Sequence, residues 1–141
     1  MYLLAGIQCK LLNVTRLPVI ISQTPAGTSL ENMQHFAQMV ESNKFQKYDF
    51  GSPEENRKHY NQTTPPLYDL STLMVPVSLF WGGEDWLADK EDVLQLIEKL
   101  HHVENSDYVP SYDHLGFMWA LTAPEKIYNK ILNIMAKSLQ Q

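Results

Sequence analysis

A chain of 141 residues, 44% of them hydrophobic and 19% charged, is long enough for one domain with a core and too short for two comfortable ones. Its net charge of -5 offers no basic patch to follow a phosphate backbone, which argues against a nucleic-acid partner. The longest uncharged apolar stretch, residues 74–81, falls far short of the ~20 residues that cross a bilayer, so no transmembrane segment is expected.

The chain opens on an apolar run, residues 1–7, with no positively charged region before it and Lys10 soon after. It does not read as a signal peptide, and it resembles the interior of a longer protein more than a solvated terminus. The single cysteine, Cys9, permits no internal disulfide and is assigned no role. Asn13-Val14-Thr15 and Asn61-Gln62-Thr63 are sequons, which makes Asn13 and Asn61 candidate glycan acceptors if the chain enters the secretory route. Leu17-Pro18-Val19-Ile20-Ile21 predicts a short extended segment, and Pro25-Ala26-Gly27 a turn. Thr28-Ser29-Leu30-Glu31 then reads as a capping box, with the Thr28 hydroxyl accepting from the amide of Glu31. Leu30, Met33, Phe36, Ala37 and Val40 follow at helical spacing, and the helix frays near Ser42-Asn43. Residues 45–69 are aromatic and polar, broken by Gly51-Ser52-Pro53 and Thr64-Pro65-Pro66, and predict irregular structure with one helical turn over 54–57.

After residue 70 the pattern changes. Residues 75–81 form a nearly continuous apolar run that stops at Gly82-Gly83, as a strand covered on both faces does. Pro76 falls at its start, where a missing amide is tolerated. Asp89 is placed to cap a helix with Asp92 in its first turn, and Val93, Leu96, Ile97 and Leu100 mark one face. Residues 107–109 suggest a second short strand. Thr122-Ala123-Pro124-Glu125 reads as another capping box, leading into a last helix that buries Ile127, Ile131, Ile134, Met135 and Leu139. The order is βαβα, the repeating unit of an α/β sheet. Two strands cannot make a stable parallel sheet with both faces covered, so the unit reads as the last piece of a larger one.

In open α/β sheets, sites form outside the carboxyl ends of the strands. Two segments lie there: Gly82-Gly83-Glu84-Asp85-Trp86 and Tyr112-Asp113-His114-Leu115-Gly116. The glycines let the chain turn sharply off the strand, and a carboxylate just beyond them can hold a histidine of the neighbouring loop in one tautomer. Asp89 is spent on its helix; Glu84 and Asp85 are not separated by spacing. His101 and His102, in the last turn of a helix, read as structural, and His35 and His59 as surface or packing residues without acidic context. An acid before a histidine, each after a strand, matches the Ser…Asp…His order of α/β-hydrolases.

Several longer stretches carry a resemblance. Pro25-Ala26-Gly27-Thr28-Ser29, Tyr48-Asp49-Phe50-Gly51-Ser52, His59-Tyr60-Asn61-Gln62, Trp81-Gly82-Gly83-Glu84-Asp85-Trp86-Leu87-Ala88-Asp89 and His114-Leu115-Gly116-Phe117-Met118-Trp119 resemble the gastric and lysosomal acid lipases, in the same order along the chain. The resemblance implies that Asp85 is the triad acid and His114 the triad base. It implies that residues 1–69 are the C-terminal part of a mostly helical or irregular cap domain. Residues 70–141 would then be the C-terminal strand-helix-strand-loop-helix part of an α/β-hydrolase core. It implies a serine hydrolase of neutral lipid esters, triacylglycerol or cholesteryl ester, in a lysosomal or secreted setting, with no metal or cofactor.

The departures are as informative. The family's nucleophile lies in a G-x-S-x-G elbow upstream of everything in these residues, as does its first oxyanion donor; Ser29 and Ser52 lack that context. Gly116 stands where the acid lipases usually carry an acid. Two readings follow: the C-terminal portion of a lipase, or a truncated lipase-like protein, non-catalytic alone, with at most a lipid- or partner-binding role.

Overall fold

The computed structural model describes residues 12–140, so the apolar start at residues 1–7 and Cys9 lie outside them. The described chain divides into two compact units, residues 26–72 and residues 12–25 with 73–140.

In the unit of residues 26–72 the first helix comes where the apolar spacing puts it, with its cap one residue later than expected. The Ser29 hydroxyl accepts from the Asn32 amide at 3.1 Å, while Thr28 accepts from the Asn32 side chain at 3.0 Å. This helix, Leu30–Ser42, ends at Asn43 in the left-handed conformation that Asn tolerates. Its apolar residues Leu30, Met33, Phe36 and Val40 are exposed. A second helix, Pro53–Tyr60, is longer than the single turn expected. Local chemistry builds it: Ser52 accepts from Glu55 N, Pro53 presets the first turn, acids open it and Arg57, Lys58 and His59 close it. The one buried residue of this helix is Asn56, so no apolar period announces it. The Asn56 amide accepts from Phe50 N at 3.0 Å and donates to Asp49 Oδ1 at 2.9 Å and to the Thr63 carbonyl at 3.2 Å. Gln38 grips the backbone of Asp49 at both its N–H and its carbonyl. Polar fastening, rather than apolar burial, orders the stretch expected to be irregular.

In the other unit, the segment expected to be extended is a helix, α1, Leu17–Gln23. Pro18 explains the difference: in a first helical turn its missing N–H costs nothing and its φ is already helical, which outweighs the β-branched run behind it. The helices introduced above are α2 (Leu30–Ser42) and α3 (Pro53–Tyr60). Strand β1, Val77–Gly82, follows Pro76 and leads to helix α4, Lys90–Lys99, capped by Asp89 through the Asp92 amide at 2.9 Å. Val93, Leu96, Ile97 and Leu100 form its half-buried face. His101 and His102 lie beyond the helix rather than in its last turn, and the His102 carbonyl accepts from Val77 N at the start of the sheet.

Strand β2, Val103–Val109, pairs parallel with β1, from Val77↔Val103 to Gly82↔Val109. It begins earlier than expected, where a more buried position is polar: Asn105 donates to Asp107 at 2.8 Å, and Lys130 reaches Asp107 at 2.8 Å. After β2 come a single turn of helix, α5, Gly116–Trp119, a π-helical turn, Pro124–Tyr128, and helix α6, Asn129–Ser138. The capping box expected at Thr122 does not form, because the Thr122 hydroxyl is taken by Tyr112 at 2.8 Å. The core consists of Val109, Tyr112, Ala120, Ala123 and Ile127, with Phe80, Phe117 and Ile131 packed on it. Ile134 is half-buried, but Met135 and Leu139, expected inside, are exposed. Leu139 lies about 18 Å along the helix from Ile127, past the edge of so small a core. No helix among the described residues is long and apolar enough to cross a membrane.

Candidate active site

The site forms where β1 and β2 end side by side. Gly82 and Gly83 are needed there for closeness, not for an unusual backbone turn, since neither has a positive φ. A Cβ on Gly82 would fall on the Tyr112 carbonyl oxygen, and one on Gly83 would lie 2.5 Å from the Pro110 carbonyl oxygen. The two loops are therefore in backbone contact. Gly83 N donates to the Val109 carbonyl at 3.1 Å and Glu84 N to the Tyr112 carbonyl at 3.0 Å.

That staple brings Asp85 to His114. Asp85 is 7% exposed; its Oδ1 accepts from the amides of Leu87 and Ala88, both at 2.9 Å, and its Oδ2 lies 3.1 Å from His114 Nδ1. Two backbone donors and an imidazole satisfy the buried carboxylate, which would otherwise be costly to hold in the interior. A carboxylate can only accept, so Nδ1 carries the proton and the neutral ring keeps its free lone pair on Nε2. Glu84 is exposed and contributes its backbone, so of the two acids spacing left open, Asp85 is the one that meets the histidine. The His114 side chain is 43% exposed, which leaves the ring open to a reacting group.

Beside the pair lies a cavity of about 340 Å³, walled by Leu79, Phe80, Val93, Leu96, Phe117 and Met118, with Asp85 and His114 at its lining. Trp86, next to the acid, is 66% exposed. The remaining candidates are engaged elsewhere. His35 Nε2 meets the Gln46 carbonyl at 2.8 Å, and His59 stacks flat on Phe50 with ring centres 3.6 Å apart. Ser29 and Ser52 are helix caps. Of the sequon residues, Asn61 is exposed at the end of α3, and the Asn13 side chain accepts from the Thr15 hydroxyl at 2.7 Å. Among the described residues no three His, Cys, Asp or Glu side chains cluster as a metal site. Spacing gave no hint of Tyr112, fully buried beneath the loop, or of Asp113, 5% exposed next to the histidine. The aromatic-acid-histidine order was the only signal available.

No family model matches the chain. Among curated proteins, gastric triacylglycerol lipase from Homo sapiens is 43% identical over 137 residues, 97% of this chain and 34% of its own. Lysosomal acid lipase/cholesteryl ester hydrolase from Homo sapiens is 43% identical over 136 residues, 96% of this chain and 34% of its own. Lipase member K from Mus musculus is 39% identical over 140 residues, 99% of this chain and 35% of its own. The chain thus spans about a third of the length of the curated relatives it matches. Such relatives imply an α/β-hydrolase, and a parallel strand pair flanked by helices agrees with part of one. Over 96–97% of its own length the chain is therefore similar to the C-terminal portion of gastric and lysosomal acid lipases.

Proposed function

We propose that Asp85 and His114 are the acid and base of a serine ester hydrolase acting on neutral lipids, with the nucleophilic serine contributed from outside these 141 residues. The observation that carries this reading is the 3.1 Å contact between a buried carboxylate and the Nδ1 of a half-exposed imidazole. Nε2 takes the proton of the serine hydroxyl as the ester carbonyl is attacked, and gives it to the departing alcohol. It then takes a proton from the water that attacks the acyl group and returns it to the serine oxygen as the acyl group leaves. Asp85 stays ionised throughout and stabilises the imidazolium that forms in each half-reaction.

The surrounding architecture fits this reading. Residues 1–69 would be the end of a cap and residues 70–141 the end of the hydrolase core. The break between compact units after residue 72 supports a boundary there, while residues 12–25 group with the later unit through the Leu12–Ala120 bridge. Triacylglycerol or cholesteryl ester as substrate, a lysosomal or secreted setting, and glycans on Asn13 and Asn61 belong to the same proposal. It rests on the likeness to gastric and lysosomal lipases.

Asp85→Asn in a complete lipase containing these residues tests it. The amide oxygen can still accept from Leu87 and Ala88, but its NH₂ now faces His114 Nδ1 and forces the ring into the other tautomer. Turnover of a triacylglycerol should fall by about 10⁴ with folding intact. Undiminished turnover would mean that Asp85 is not the acid. The 141 residues alone contain no G-x-S-x-G serine, and alone they are expected not to hydrolyse a short-chain ester. Hydrolysis by the isolated chain that His114→Ala abolishes would overturn that expectation.

A further inference from the structure

His114 is gripped from both sides by its own neighbours. On one side, the Tyr112 carbonyl is fixed to the Asp85 loop, accepting from Glu84 N at 3.0 Å and lying so close to Gly82 that no side chain fits between them. On the other side, Gly116 N is 2.6 Å from Asp113 Oδ1 and 3.1 Å from the Asp113 carbonyl. Residues 113–116 thus form a turn closed twice, once by backbone and once by side chain, with His114 and Leu115 in its middle.

Gly116 leaves the closure uncrowded. A Cβ there would lie 3.2 Å from Asp113 Oδ1 and 3.3 Å from Tyr112 Cγ, so the carboxylate would have to give by a few tenths of an ångström at its bond to the amide. The closure matters because the imidazole is 43% exposed, so packing does little to fix its direction. Its pairing with Asp85 depends on where the backbone beneath it stands.

We propose that Asp113 is a positioning residue for His114: by closing the 113–116 turn on Gly116 it holds the imidazole in register with Asp85. The proposal rests on the assignment of His114 as the base. It predicts that the Asp85–His114 hydrogen bond, not the fold alone, depends on the Asp113 side chain.

Imidazole ¹⁵N NMR of the full 141-residue chain tests it without requiring turnover. In the parent, His114 Nδ1–H should be a single, slowly exchanging signal, and Asp85→Asn should abolish it. Asp113→Ala should exchange that proton at least about tenfold faster and average the two tautomers, and Gly116→Ala should shift it the same way by less. Asp113→Asn, whose amide oxygen can accept the same Gly116 N–H, should restore the parent signal. The Ile127 methyl resonance reports the core; where Asp113→Ala loses it, Gly116→Ala is the variant that decides. A folded Asp113→Ala or Gly116→Ala chain with parental Nδ1–H exchange overturns the proposal while leaving the Asp85–His114 pair intact. So does an Asp113→Asn chain that behaves like Asp113→Ala. A parent signal indifferent to Asp85→Asn removes the pair itself, and the positioning role with it.

Discussion

Gly82→Ala puts the contact between the two site loops to a direct test. The added Cβ would fall on the Tyr112 carbonyl oxygen, 3.0 Å from the carbonyl carbon and 3.2 Å from Phe117 Cε2. Phe117 can swing away, but the carbonyl cannot. It belongs to the backbone of a residue with 0% exposure that also accepts from Glu84 N. Relief must come from parting the loops. Parting them costs the Glu84–Tyr112 hydrogen bond, about 1 kcal/mol. Disturbed packing around Tyr112 adds about 1–3 kcal/mol, the usual range for an overfilled core. Urea unfolding followed by tryptophan fluorescence should therefore show a loss of about 2–4 kcal/mol, with the Glu84 amide exchanging faster than in the parent. Gly27→Ala is the control, since nothing lies within 4 Å of its added carbon, and it should change stability by less than about 0.5 kcal/mol. A Gly82→Ala chain as stable as that control, with Glu84 still protected, would refute the steric reasoning.

Two further substitutions probe the polar fastenings. Asn56→Ala removes three hydrogen bonds from a residue 3% exposed and should cost about 2–3 kcal/mol, read as faster amide exchange at Phe50 and cleavage by trypsin near Arg57. Asp107 has its carboxyl held below the ordinary range, first by the hydrogen bond from Lys130 and then by that from Asn105. A lowered folded value means that its contribution is present above the unfolded value of about 3.9 and is lost as pH falls through the folded one. The stability difference between the parent and Asp107→Asn should hold steady above about pH 5 and shrink progressively as pH falls below the unfolded value of about 3.9, and it should shrink in about 1 M salt. Thermal melts across that range check it; a gap that widens on acidification contradicts the assignment.

The sequence was most readable where apolar residues keep a period. Val93, Leu96, Ile97 and Leu100 announced α4, and Asp89 its start, because burial there is apolar and the cap is local. Where burial is polar the signal disappears: α3 turns on Asn56, and the first half of β2 has Asn105 at its more buried position. A β-branched run suggested extension at α1, where Pro18 at the helix start decided otherwise. Tertiary bonding overrode a local motif at Thr122, whose hydroxyl went to Tyr112 instead of a cap. At the site, spacing stopped at Glu84 or Asp85. What separates them is a bend in which one Asp85 oxygen collects the amides of Leu87 and Ala88, turning the other toward His114. The resemblance named that residue without supplying this reason.

Tyr112 joins two things that many enzymes keep apart. Its ring is the most deeply buried side chain of the core, and its carbonyl is the fixed point of both loops that carry Asp85 and His114. The two loops therefore have no low-energy opening of their own: releasing either means releasing the ring. Opening of the site and melting of this core should form one cooperative event. A ligand seated at His114 would accordingly tighten Ala123 and Ile127, which it never touches.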